Sequence, residues 1–121
     1  MPNTPRVVTG ANQDTTGRVI TQDYQAKAFA STISVTATAQ FTCFNVAQLT
    51  GAATINAVVT NMYIGDEVTF LLAADGTNRI VTFGTNFLSS GTVTVTAAKT
   101  ATVKGVFDGT NIRICSREIT A

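Results

Sequence analysis

The side chains with chemistry to offer are few, and their spacing limits what they can do. The carboxylates are Asp14, Asp23, Asp66, Asp75, Asp108, Glu67 and Glu118, and the chain has no histidine. Nucleophilic catalysis by Ser or Cys ordinarily needs a base beside the nucleophile, and the usual base is missing. Asp66 and Glu67 are adjacent, so on a strand they point to opposite faces and cannot flank a glycosidic bond. Zinc would lack ligands, since there is neither His nor a Cys-x-x-Cys pair. Two Asp-Gly-Thr-Asn segments, at 75–78 and 108–111, bring one carboxylate each, which is thin for Ca²⁺ with its roughly six to eight oxygens. They read as plain turns. No glycine-rich phosphate loop is present. The expectation is a protein that is not an enzyme, with no catalytic residues, no cofactor and no metal site.

Cys43 and Cys115 each fall inside an expected strand, and a cytoplasmic protein keeps such thiols reduced, so they are expected to be free. Arg113 and Arg117 share a strand face with Cys115 by simple alternation and make a small basic edge. Nucleic acid would want a longer basic stripe, whereas eight Lys and Arg are spread along the chain and balanced by seven acids. A sugar-binding surface usually offers an aromatic platform, and here there is no Trp and only Tyr24 and Tyr63.

What must position these groups is a β scaffold. Thr fills 23 positions and Val 13, a β-branched excess that suits pleated strands, while charged residues are only 12%. With 121 residues the chain can build one real core. Its longest apolar runs, such as 71–74, fall far short of the roughly 20 residues that span a bilayer. The opening Met1-Pro2-Asn3-Thr4-Pro5 lacks the parts of a secretory signal, which favours synthesis and retention in a cytoplasm.

Residues 1–24 hold both prolines and no sustained period, and read as an extended N-terminal arm with a reach of roughly 80 Å at about 3.3 Å per residue. Residues 25–121 read as the folded domain. The stretch 22–31 fits a short helix or a strand, with strand preferred. From Thr32 the alternation is clear: Ile33, Val35, Ala37 and Ala39 face one way and Thr32, Ser34, Thr36 and Thr38 the other. Phe41 to Leu49 and Thr54 to Val59 follow as strands. The centre is 68–83, two β runs around Asp75-Gly76, which predicts a hairpin. Val68, Phe70, Leu72, Val81 and Phe83 then share the core face, and Leu71 and Ile80 share the other, which calls for a covering partner. Phe87 and Leu88 are expected to plug the end of the fold.

Strands at 91–96, 100–107 and 112–119 complete the chain, and the second Asp-Gly-Thr-Asn lies 33 residues after the first (75 to 108). Either a degenerate duplication or convergence on a favoured turn produces that spacing. Regular short strands with such turns predict an all-β fold, a single antiparallel β-sandwich or jelly-roll-like barrel with the N-terminal arm attached.

Gly65-Asp66-Glu67-Val68-Thr69-Phe70, Asp75-Gly76-Thr77-Asn78-Arg79, Val81-Thr82-Phe83-Gly84, Gly91-Thr92-Val93-Thr94-Val95 and the ending Phe107-Asp108-Gly109-Thr110 with Ser116-Arg117 resemble the β domains of tailed-bacteriophage virion proteins. The likeness is to capsid decoration (cement) proteins and head fibres, and to some tail-fibre modules. It covers about 51–117, and the arm carries no matching motif. The resemblance implies a structural protein of the virion surface that binds the major capsid protein and staples its subunits, as a homo-oligomer with a trimer ahead of a dimer. From the scattered charges and the short apolar runs, neither nucleic acid nor a membrane is expected among the partners. The alternative is a receptor- or carbohydrate-binding tail-fibre or adhesin module.

Overall fold

The computed structural model describes residues 22–89 and 91–120, and these form ten strands with no helix among them. In chain order they are β1 (Gln22–Lys27), β2 (Thr32–Thr36), β3 (Phe41–Val46), β4 (Ala53–Val58), β5 (Glu67–Ala73), β6 (Arg79–Phe83), β7 (Phe87–Leu88), β8 (Val93–Val95), β9 (Thr100–Phe107) and β10 (Ile112–Thr120). Residues 22–31 begin as strand, so β1 takes in Gln22 to Tyr24, which the sequence assigned to the arm. The rest of that arm lies outside the described residues.

The antiparallel sandwich or jelly-roll-like barrel expected from the sequence does not form. Successive strands alternate between two sheets, one ordered β1-β3-β5-β9-β10-β7 and the other β2-β4-β6-β8. β1, β3 and β5 pair in parallel in the first, and β2, β4 and β6 pair in parallel in the second. The chain therefore winds as a β-solenoid-like stack of coils, each coil laying one strand in each sheet. Only afterwards does it turn back, with β8 antiparallel to β6, β9 antiparallel to β5, and β10 antiparallel to β9.

The segment 68–83 is where strand pairing departs from the hairpin that the sequence predicts. β5 and β6 were expected to pair, but they lie in different sheets and the Asp75 turn is a corner between them. Both edges of β5 are already occupied, by β3 and by β9. Leu49 N donates to Ala73 O at 2.7 Å and Ala74 N to Lys99 O at 3.0 Å, so no backbone groups remain for residues 79–80. Asn78 Oδ1 then accepts from Ala97 N at 2.8 Å, which ties this corner to the next. The second Asp-Gly-Thr-Asn does close a hairpin, with Phe107 opposite Ile112. The two segments thus share strand order up to the turn and diverge there.

Val68, Phe70, Leu72, Val81 and Phe83 are all buried as expected, because the two sheets turn their inner faces toward each other. Phe44, Phe70, Phe83 and Phe87 form a chain of ring contacts with centroids 5.1 to 5.9 Å apart. Phe87 is the plug foreseen, whereas Leu88 is exposed. Leu71 and Ile80 do not share a face. Leu71 lies on the outer face of the six-stranded sheet and Ile80 on that of the four-stranded sheet, on opposite sides of the molecule.

The six-stranded sheet is wider than its partner, and its inner rows turn polar at both margins. Gln25, Phe44, Phe70, Val103 and Arg117 stand in one continuous row across five strands. At one margin Gln25 Nε2 donates to Thr36 O at 3.1 Å and Asp23 takes the Thr38 hydroxyl, so β1 is fastened to the end of β2. The second sheet does not extend over these positions, and polar side chains suit them.

Candidate functional site

Among the described residues the acids do not assemble into a reaction centre. Asp66 is buried and accepts from Tyr63 N at 2.9 Å, holding the turn into β5, while Glu67 faces outward one residue on. Asp75 grips Arg79 in a two-point ion pair, with Nε to Oδ1 and Nη2 to Oδ2 both 2.8 Å, and this contact holds its carboxyl below the ordinary value. Asp108 Oδ1 accepts from Asn111 N at 2.8 Å and Thr110 N at 2.9 Å, and its Oδ2 from Arg113 Nε at 2.6 Å. Those contacts, the Asn111 amide first, lower its pKa to about 2. Both turn carboxylates are thus taken up by their own chain. Among the described residues no three His, Cys, Asp or Glu side chains cluster as metal ligands would. Asp14 lies outside the described residues.

Cys43 and Cys115 are free thiols. Cys43 sits on β3 and Cys115 on β10, with β5 and β9 between, so about 14 Å of sheet separates them at ~4.8 Å per strand, beyond disulfide reach. Partial burial pushes the Cys43 thiol up.

The basic edge does not exist as foreseen. The register slips between Ile114 and Ser116, so Cys115 is an extra residue in a β-bulge. Arg113 opposes Val106 on the outer face, while Arg117 opposes Val103 on the inner face. There Arg117 donates to Thr92 O at 3.2 Å and to the Ser89 hydroxyl, pinning the loop ahead of β8. Alternation counted straight through the bulge puts the two arginines together, and only pairing reveals the slip.

What the fold does bring together lies on the outer face of the six-stranded sheet. The registers Gln22–Phe41–Glu67 and Tyr24–Cys43–Thr69–Lys104 run as two neighbouring rows across β1, β3, β5 and β9. Between them is an open depression of about 510 Å³. Tyr24 is 60% exposed, and its hydroxyl accepts from Asn45 Nδ2 at 2.7 Å, which holds the ring down on the sheet. Half-buried Phe41 supplies the second aromatic side. The sequence held no sign of this group beyond Tyr24 itself, because residues some 20 and 26 positions apart (22 to 41, 41 to 67) meet only through parallel pairing.

The other outer face is different in kind. On β2, β4, β6 and β8 the outward residues include Thr32, Ser34, Thr54, Asn56, Ile80 and Thr94, and none of the outward positions on these strands carries a charge. Thr32, Thr54 and Thr82 stand in one register row.

No family model matches the chain, and no curated protein is similar to it in sequence. The outer surfaces are therefore the basis for a functional reading. No described helix is long and apolar enough to cross a membrane.

Proposed function

We propose that this protein is a capsid decoration protein, a structural component of a tailed-phage virion that binds the outer shell and staples major capsid subunits. The turn-and-strand motifs between 51 and 117 support the reading through their likeness to virion β domains. The observation that carries it in the fold is the filled interior: the space between the sheets is occupied by Phe44, Phe70, Leu72, Phe83 and their neighbours. What such a stack can offer is its outside, and a protein that acts by attachment needs nothing more.

The charge-free outer face of the four-stranded sheet is the face that suits self-association, since interface centres are depleted in charged residues. We place a closed homo-oligomer there, a trimer ahead of a dimer. The runner-up is a receptor- or carbohydrate-binding module of a tail fibre. Counting the protein in purified particles separates the two: many copies spread over the shell support decoration, and a few copies at the tail tip overturn it. A chain lacking residues 2–20 should keep its melting temperature and lose attachment to empty shells. Undiminished attachment would remove the arm from the contact.

A further inference from the structure

We propose that the depression on the outer face of the six-stranded sheet binds a neutral saccharide unit. A sugar ring has an apolar C–H face and a rim of hydroxyls that both donate and accept, and the two register rows offer the complement of both. Tyr24 and Phe41 flank the depression with aromatic surface, and Tyr24 is fixed by Asn45 and so loses little freedom when a ring settles against it. Around them stand two carboxylates, Glu67 and the Asp23 already held by Thr38 and Gln25, one ammonium, Lys104, the Gln22 amide and the Thr69 hydroxyl. Neither Glu67 nor Lys104 has a side-chain partner among the described residues, although both are carried on the two central strands of the sheet. An acceptor-only and a donor-only group, one on either side, match a vicinal pair of hydroxyls.

The same residues argue against other ligands. A polyanion would meet Glu67 with a single cation opposite it, and a nucleic-acid strand wants a track of positive charge. The volume falls in the range of about 300–1,000 Å³ typical of small-ligand sites, which fits one or two sugar rings. The proposal holds whether the protein sits on a shell or on a fibre.

Cys43 lies in the floor of this depression and Cys115 outside it, which provides a built-in reporter. Neutral hexose and N-acetylhexosamine oligosaccharides, tested on the intact chain by saturation-transfer NMR, should show transfer to the C–H protons of one ring. The bound sugar should slow iodoacetamide alkylation of Cys43 and leave Cys115 unchanged. Tyr24→Ala should weaken binding about tenfold. Tyr24→Phe, which keeps the ring, should retain most of the affinity and guards against a variant that merely loosens β1. Glu67→Gln and Lys104→Met should each weaken binding with the melting temperature unchanged. The proposal is overturned if no neutral sugar gives transfer, if Cys43 is not protected, if Tyr24→Ala binds as the parent does, or if a sulfated oligosaccharide binds more tightly than its neutral counterpart.

Discussion

Phe44 and Phe70 stand opposite each other in neighbouring parallel strands and stack with centroids 5.3 Å apart and 21° between ring planes. Phe70 also meets Phe83 and Phe87, which reach it from beyond the corner, so one ring joins three segments of the chain. Both Phe44 and Phe70 are fully buried. Phe70→Ala should therefore cost about 3–5 kcal/mol, the range for a large aromatic removed from a core that cannot collapse around the gap. Urea unfolding followed by circular dichroism measures it. Phe41→Ala, on the half-buried outer face, should cost clearly less.

The two Asp-Gly-Thr-Asn turns should respond oppositely to the same substitution. Gly109 has φ +103°, and a Cβ there would stand 3.2 Å from Ile64 Cγ1 and Cδ1, so Gly109→Ala is strained and should lower the urea midpoint. Gly76 has no left-handed φ and open space around it. Gly76→Ala should be neutral or stabilising by roughly 0.4–1 kcal/mol, through the unfolded chain. Equal losses at the two sites would mean that the turns share one conformation.

Asp108 should mark the acid limit of the second turn. Its pKa is about 2 when folded, against about 3.9 in an unfolded chain. A depressed carboxyl adds stability that is present above the unfolded value and lost as pH falls through the folded one. Asp108→Asn leaves an oxygen for the Thr110 and Asn111 amides but removes the charge. Between about pH 4 and pH 2 its melting temperature should fall less steeply than the parent's. Parallel curves would show that Asp108 titrates as in an unfolded chain.

Self-association should be lost from one face only. Ile80 is 48% exposed on the charge-free sheet, and Ile80→Lys should bring sedimentation down to the monomer. Leu71→Lys, on the opposite side, should leave the oligomer whole. The reverse result would move the interface to the six-stranded sheet, and a parent that sediments as a monomer at high concentration would remove it altogether.

Strand positions and inward faces were legible in the sequence because alternation is local. Ile33 and Val35, Ile55 and Ala57, Val68, Phe70 and Leu72 all reach the core from that rule alone. Which strand lies beside which was not legible. A hairpin needs only a turn, and Asp75-Gly76 looks like one, but β5 is held by β3 and β9, whose pairing depends on segments 26 and 35 residues away (41 to 67, 69 to 104). Arg117 falls on the other face from Arg113 for a related reason, since the slip at Cys115 changes face without any Gly or Pro to announce it. The outer depression was hidden likewise, because each of its four strands contributes only one to three of its residues.

Among the described residues the three parallel coils begin at the edge formed by β1 and β2 and finish where β8 and β9 turn back to pair with β6 and β5. Growth is thereby given a direction. A further winding inserted ahead of β1, of 19 to 26 residues on the present intervals (22 to 41 and 41 to 67), would lengthen the stack by about 4.8 Å without disturbing any register among the described residues. An insertion after β6 would instead have to break the reversed pairs that close the far end. Lineages of this architecture should accordingly vary in height at the β1 side and keep the β8–β10 terminus constant.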